Sequence, residues 1–480
     1  MTATLVTILY FLFAIAIIVR LLLYGVRPTK TLAWLLAIFT IPIGGMLFYF
    51  MLGRNRKINK FYKLKKTKEI SDYLSKVDNY YNAIEDSPLI IPKSVKKHIK
   101  LARLIAKSAK FLPSEGNKLT PLKEGPSTFE AIFKAIENAT HFIHLQYYIY
   151  EDGDIAEHFL TVLEKKIKEG VEVRFIYDGL GSRALSKRYI KALKRIGVEV
   201  YPFLPIRFGK LLASVNYRNH RKIVIVDGMV AFIGGINISD KYIKGDGVLG
   251  MWHDLHLELR GSIVNSLQVV FAKDWSFASG QEDLLKTLYF SEHSIAPGKS
   301  TVQAIESGPD SDFSSIHQLY LSIINSSEKY VYITNPYIIP GEALMKALQI
   351  AALSGVDVRL LLSAKSDNAL VKYTVQSYFE DFMEAGVKIY QYPDGFLHSK
   401  VIISDDELTT IGTANLDIRS FEQNYEVNVV VYEKEITEEL KKDFFKHCEI
   451  STQISYKDFI KRSKIERLKE GFAKVFSPVL

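Results

Sequence analysis

Two stretches of this chain share one arrangement of residues able to act on a phosphodiester. Residues 219–237 read NHRKIVIVDGMVAFIGGIN and residues 397–415 read LHSKVIISDDELTTIGTAN. Both fit His-x-Lys, four residues, Asp, six residues, Gly-x-x-Asn. The pairs His220/His398, Lys222/Lys400, Asp227/Asp405, Gly234/Gly412 and Asn237/Asn415 are each 178 residues apart. Lysine and asparagine can neutralise and hydrogen-bond phosphoryl oxygens as charge shifts in a transition state. One neutral imidazole can attack phosphorus. A second, protonated, can hand its proton to the leaving alkoxide and then take one from an incoming alcohol. The scheme requires no metal and no cofactor. One copy would be weak, because a lone histidine before a strand is usually a packed, hydrogen-bonded residue. Two copies in register are not.

The elements that must position these residues are also duplicated. GPSTFEAIFKAIENATHFIHLQYYIY from Gly125 answers GPDSDFSSIHQLYLSIINSSEKYVYITNPYI from Gly308, each an amphipathic helix before an apolar strand. EGVEVRFIYD (169–178) answers SGVDVRLLLS (354–363), and RIGVEVYPF (195–203) answers EAGVKIYQY (384–392), with a glycine stop before each strand. Helix–strand alternation predicts α/β layers with helices covering a largely parallel sheet. An offset near 180 residues is too long for a solenoid. Two tandem domains facing across a pseudo-two-fold axis are expected instead, with a shared site at the axis. Tyr148 and Tyr337 end equivalent strands, where they line the site's mouth or pack in the core.

The constellation resembles the phospholipase D superfamily, with Thr413 for the common serine of its G-S-x-N and Gly235 at that place in the first copy. NHRKIVIVDG, GGINISDKY, WHDLHLELRG (252–261), NPYIIP (335–340), FLHSK (396–400), NLDIRSFEQNYEV (415–427) and the ending FSPVL make it similar to bacterial cardiolipin synthases. That resemblance implies His220 as nucleophile and His398 as acid/base. It also implies a later carboxylate orienting each imidazole: Asp254, 34 residues after His220, and Glu426, 28 residues after His398. Lys222, Lys400, Asn237 and Asn415 then hold the phosphoryl group, and Asp227 and Asp405 complete the motifs and hold their backbone and lysine. The implied reaction is phosphatidyl transfer from one phosphatidylglycerol to another, giving cardiolipin and glycerol. A phospholipase D hydrolase or transphosphatidylase with another donor, and a non-catalytic lipid-binding scaffold, are the competing readings. The second has no need of intact His, Lys and Asn in both copies.

Composition bounds the rest. The 480 residues are 48% apolar and 24% charged, which excludes a disordered or low-complexity chain. The sole cysteine, Cys448, excludes an intrachain disulfide and a cysteine-clustered metal site. His141/His144 and His253/His256 have ligand-like spacing but lie in strand-like stretches, where only alternate residues share a face, so no metal is expected. The net charge of +9 is local: residues 1–68 hold eleven basic and no acidic residues, leaving −2 for residues 69–480. Nucleic acid is therefore not an expected partner. Phospholipid is.

Residues 2–24 and 31–52 are apolar runs about long enough to span a bilayer, separated by GVRPTKT, so a two-helix transmembrane hairpin is expected. There is no basic n-region or cleavage site for a signal peptide. Eight basic residues over 54–68 place the rest of the chain in the cytoplasm by the positive-inside rule, giving a multi-pass protein of the bacterial inner membrane. The expected organisation is hairpin and basic flank 1–68, connecting arm 69–120, first domain 121–300, second domain 301–450 and amphipathic segment 451–480. That last segment reads equally as an interfacial or a docked helix.

Overall fold

A computed structural model describes residues 2–24, 28–52, 92–205, 216–281, 283–285, 289–291, 296–366 and 368–480. The basic flank 54–68 and the first part of the arm, 69–91, lie outside the described residues. The fold is mixed α/β.

Fourteen strands trace the sheet: β1 Ser114–Lys123, β2 Phe142–Tyr147, β3 Glu172–Asp178, β4 Glu199–Phe203, β5 Ile223–Val226, β6 Val230–Gly234, β7 Leu255–Arg260, β8 Ser300–Ser307, β9 Tyr330–Thr334, β10 Asp357–Ser363, β11 Lys388–Tyr392, β12 Val401–Ser404, β13 Leu408–Gly412 and β14 Asn424–Val431. Their order is β11-β10-β9-β12-β13-β14-β8-β1-β7-β6-β5-β2-β3-β4, with Thr452–Gln453 beyond β11 and Arg218–Asn219 joining β14 from the side. Reading outward from the β8–β1 junction, the two halves follow the same plan.

The sheet is not largely parallel. β2-β3-β4 and β9-β10-β11 are parallel, because helical crossovers join them. From β2 through β5, β6 and β7 to β1, every pairing is antiparallel. The cause is the tight turn at Asp227–Gly228, both with φ above +50°, which can only return the chain antiparallel. Asp405 and Asp406 make the same turn between β12 and β13.

The expected arm is corrected where it is described. Helix Ile99–Ala109 buries Leu101, Ala102 and Ile105 against the core under the second half, with Ile316 and Leu319. β1 pairs with β7 on one side and β8 on the other, so it joins the two halves of the sheet. Residues 92–120 are part of the fold because their apolar side chains have a core to enter.

The N-terminal helix runs Thr2–Tyr24. The second apolar run is two helices, Pro28–Thr40 and Pro42–Leu52, and not the single one expected over 31–52. Pro42 has no N–H for the helical ladder and disfavours helix at Ile41. The chain turns sharply enough that Trp34 meets Tyr49 with ring centroids 5.7 Å apart. Gly45 abuts the Ala37 carbonyl, 2.2 Å from where a Cβ would stand. Counting described side chains only, no helix is long and apolar enough to cross a membrane, and several residues of the first helix fall outside that count. Leu12, Phe13, Leu22, Leu36, Phe39 and Ile43 are all more than half exposed.

Candidate active site

Short parallel pairings between the halves deliver the two histidines. Arg218–Asn219 runs beside Asn424–Tyr425, and the next residue, His220, donates its backbone N–H to Tyr425 O at 2.9 Å. Phe396–Leu397 runs beside Trp252–His253, and His398 donates its N–H to His253 O at 2.7 Å. Each histidine thus bonds the residue just before a carboxylate of the opposite half, and the register brings it opposite that carboxylate.

The side chains follow. His220 Nδ1 lies 3.0 Å from the Glu426 carboxylate, and His398 Nδ1 lies 2.7 Å from Asp254 Oδ2. The pairing expected within each half is corrected: it crosses, Asp254 serving His398 and Glu426 serving His220. An Nδ1–H held by a carboxylate fixes the tautomer and leaves Nε2 as the nitrogen available for chemistry. All four groups are buried.

Lys222 Nζ donates to His220 O at 2.6 Å, and Lys400 Nζ donates to His398 O and lies 3.0 Å from His398 Nδ1. Burial pulls Lys222 down to about 7 and Lys400 to about 8, against the pull of Asp254 and Glu426. Burial, then the nearby lysines, holds His220 well below the ordinary imidazole value, and His398 is lowered to about 3. Both rings are therefore biased toward the neutral form. The carboxylates differ. Burial pushes Glu426 up to about 7, whereas Asp254 is held below its usual range, because Lys400 and His398 outweigh burial.

The surroundings differ in step. Thr413 Oγ1 donates to Glu426 Oε2 at 2.5 Å, and Asn424 Nδ2 donates to Oε1 at 3.2 Å. Opposite Asp254 stands Gly235, where a Cβ would lie 2.3 Å from both carboxylate oxygens. The shorter acid needs the missing side chain, and the longer one receives a hydroxyl.

Asp227 and Asp405, expected to complete the motifs and hold backbone and lysine, lie apart from this group and hold backbone, not lysine. Asp227 accepts from the backbone of Thr140, His141 and Phe142 and from Thr140 Oγ1. Asp405 accepts from the backbone of Glu328, Lys329 and Tyr330. Each fastens the hairpin turn to the start of the neighbouring strand, β2 or β9, and neither carboxylate bonds its motif lysine. Asn237 accepts from Ile149 N and donates to Tyr242 OH, which positions it within the wall. Asn415 Oδ1 is buried without a hydrogen-bond partner among the described residues.

Other residues complete the wall. Tyr148 meets the His220 ring edge-on at 4.7 Å and lies 5.3 Å from Lys222 Nζ, so it belongs to the site, while Tyr337 packs on Phe396. The sequence reading missed Tyr242, whose hydroxyl is 3.4 Å from His398 Nδ1, and Trp252, 5.2 Å from that ring. Both sit within quoted motif segments, but only the fold shows which face they present. Arg221 binds Asp274 at 2.7 Å and Glu306 at 2.7 Å, anchoring the residue between His220 and Lys222. His144 binds Gln268 and His253 binds Glu124; no metal-holding cluster occurs among the described residues.

A family profile described as "Cardiolipin synthase, PLD-like domain" matches residues 132–275 and 320–448, and one described as "Phospholipase_D-nuclease N-terminal" matches residues 8–54. The chain is 41% identical to a cardiolipin synthase of a Geobacillus species over 455 residues, covering 95% of this chain and 89% of the relative. It is also 41% identical to one of Halalkalibacterium halodurans, covering 95% and 90%. Among solved structures, the phosphatidylserine synthase of Haemophilus influenzae superposes with a TM-score of 0.60 at 13% identity, over 81% of this chain and all of that one, which is a likeness of fold. With two motif copies meeting in one site and matches of this extent, the chain belongs to the bacterial cardiolipin synthases of the phospholipase D superfamily.

Proposed function

We propose that this chain makes cardiolipin from two molecules of phosphatidylglycerol. The observation that carries the reading is the pair of histidines, each held through Nδ1 by a carboxylate of the other half, beside two buried lysines. His220 Nε2 attacks phosphorus of the first lipid, and the P–O bond to glycerol breaks. His398 Nε2–H protonates the departing glycerol oxygen. The same ring then takes the proton from the terminal hydroxyl of the second phosphatidylglycerol, which attacks the phosphatidyl-histidine and frees His220. One phosphodiester replaces another, so no nucleotide is consumed.

The difference between the carboxylates supports these roles. An ionised Asp254 stabilises the imidazolium that His398 becomes, supporting it as acid and base. His220, beside the less readily ionised Glu426, is suited to remain neutral and nucleophilic. Lys222, Lys400 and the side-chain NH₂ group of Asn415 donate to the non-bridging phosphoryl oxygens. The incoming anion raises the pKa of both lysines and of His398, so the acid is charged when it is needed.

Two tandem domains related by a pseudo-two-fold axis, with the site on that axis, are part of this reading. The apolar N-terminal helices anchor the chain in the bacterial inner membrane, and the basic cluster over 54–68 supports a cytoplasmic catalytic region. Anchoring raises the effective concentration of bilayer substrate. Purified full-length protein given phosphatidylglycerol in vesicles should yield cardiolipin and glycerol in equal amounts. Phosphatidic acid as the main product would favour the hydrolase reading.

A further inference from the structure

The C-terminal helix Lys464–Lys474 has two faces, and only one is used by the protein. Ala473 and Glu470 are buried, Thr374 Oγ1 donates to Ala473 O at 3.0 Å, and Lys474 Nζ reaches Asp381 at 3.2 Å, so that side lies on helix Ala369–Gln376 and its neighbour. On the other side, Ile465, Leu468, Phe472 and Val475 are 67%, 73%, 65% and 73% exposed. At 3.6 residues per turn these four fall within an arc of about 80°, with Lys464 and Lys469 at its two borders.

We propose that this stripe seats on the lipid bilayer, its apolar side chains entering the acyl boundary while the bordering lysines meet anionic head groups. Three observations favour lipid over a protein partner. The stripe carries a basic rim on both sides. Residues 457–474 hold seven basic and three acidic side chains, the charge balance that draws a helix to an anionic surface. The same chain already carries exposed apolar helices at its N-terminus.

The seat is tied to the chemistry by a short path. Past the helix, Tyr378 OH donates to Ser477 Oγ at 2.9 Å, and Gln423 Nε2 donates to Pro478 O at 3.2 Å. The next residue, Asn424, donates to Glu426, the carboxylate on His220. The helix would thus set the catalytic pair at a fixed height over the surface that supplies substrate.

This goes beyond the proposed reaction and needs only that the chain sits at a bilayer. Single nitroxides at Ile465→Cys, Leu468→Cys, Phe472→Cys and Val475→Cys, with Arg467→Cys off the stripe, test it in the full chain in phosphatidylglycerol vesicles. Native Cys448 can stay, since it is buried and its thiol is pushed up to about 12. Dissolved oxygen should relax the four stripe labels more than a water-soluble nickel chelate does, with the reverse at residue 467. Nickel dominance at all five positions overturns the proposal, and so does a stripe shielded from both relaxants, which means a protein contact. Cardiolipin formation in the same vesicles reports folding and tests the proposed reaction separately.

Discussion

Asp254 Oδ2 stands 2.7 Å from His398 Nδ1 although 144 residues and the junction of the two halves separate them. The mirror pair, His220 and Glu426, is 206 residues apart. Neither half owns a complete site.

The crossing is testable by leaving-group rescue. A nitrophenyl phosphodiester lipid needs little acid assistance, so His398→Ala and Asp254→Asn should both regain the covalent adduct with it. His220→Ala and Glu426→Gln should gain much less. With phosphatidylglycerol, Asp254→Asn should lose on the order of 10²–10⁴ in turnover. Rescue of Glu426→Gln but not Asp254→Asn would mean that each carboxylate serves its own half.

Asp227 and Asp405 should prove structural. Asp227→Ala or Asp405→Ala strands three backbone N–H groups at a strand start and should cost about 1–3 kcal/mol of stability. Thermal melts read the loss, and turnover measured well below the melting point should keep most of its wild-type value. Abolished turnover in a fully folded variant would contradict this placement.

Much of the fold was legible because its signals are local. Gly197 and Gly386, at φ +108° and +96°, close helices before β4 and β11 where the sequence marked stops. The duplicated motif led directly to His220, Lys222, His398 and Lys400. What stayed hidden is long-range. Two-residue pairings such as Phe396–Leu397 beside Trp252–His253 have no periodicity to read, so the exchange of carboxylates could not be foreseen. The motif reads as a hairpin-like unit, but its antiparallel joining to β2 and β7 is not legible, because β5 and β6 are continuous apolar runs that suit parallel neighbours equally well.

The lysines set an alkaline limb. Burial lowers Lys222 to about 7 and Lys400 to about 8, so the free enzyme loses phosphate-binding charge as pH rises through that range. The value of kcat/KM for phosphatidylglycerol should fall by about tenfold per pH unit between the two values and more steeply above both. Bound phosphate raises both values, so kcat should fall only at higher pH. Profiles from pH 6 to 9.5 check this, and a flat kcat/KM to pH 9 would contradict it.

Orientation has its own test. Protease added to right-side-out cells should spare residues beyond 68, and added to inverted vesicles should digest them. The opposite pattern would refute the cytoplasmic assignment drawn from the basic cluster.

The most direct measurement is the site of the covalent intermediate. Full-length enzyme mixed with phosphatidylglycerol labelled at phosphorus, quenched in milliseconds to seconds and mapped by mass spectrometry, should carry the phosphatidyl group on His220 alone. Chasing with unlabelled phosphatidylglycerol should move that label into cardiolipin. Label on His398, or cardiolipin formed by His220→Ala at a substantial rate, would contradict the account.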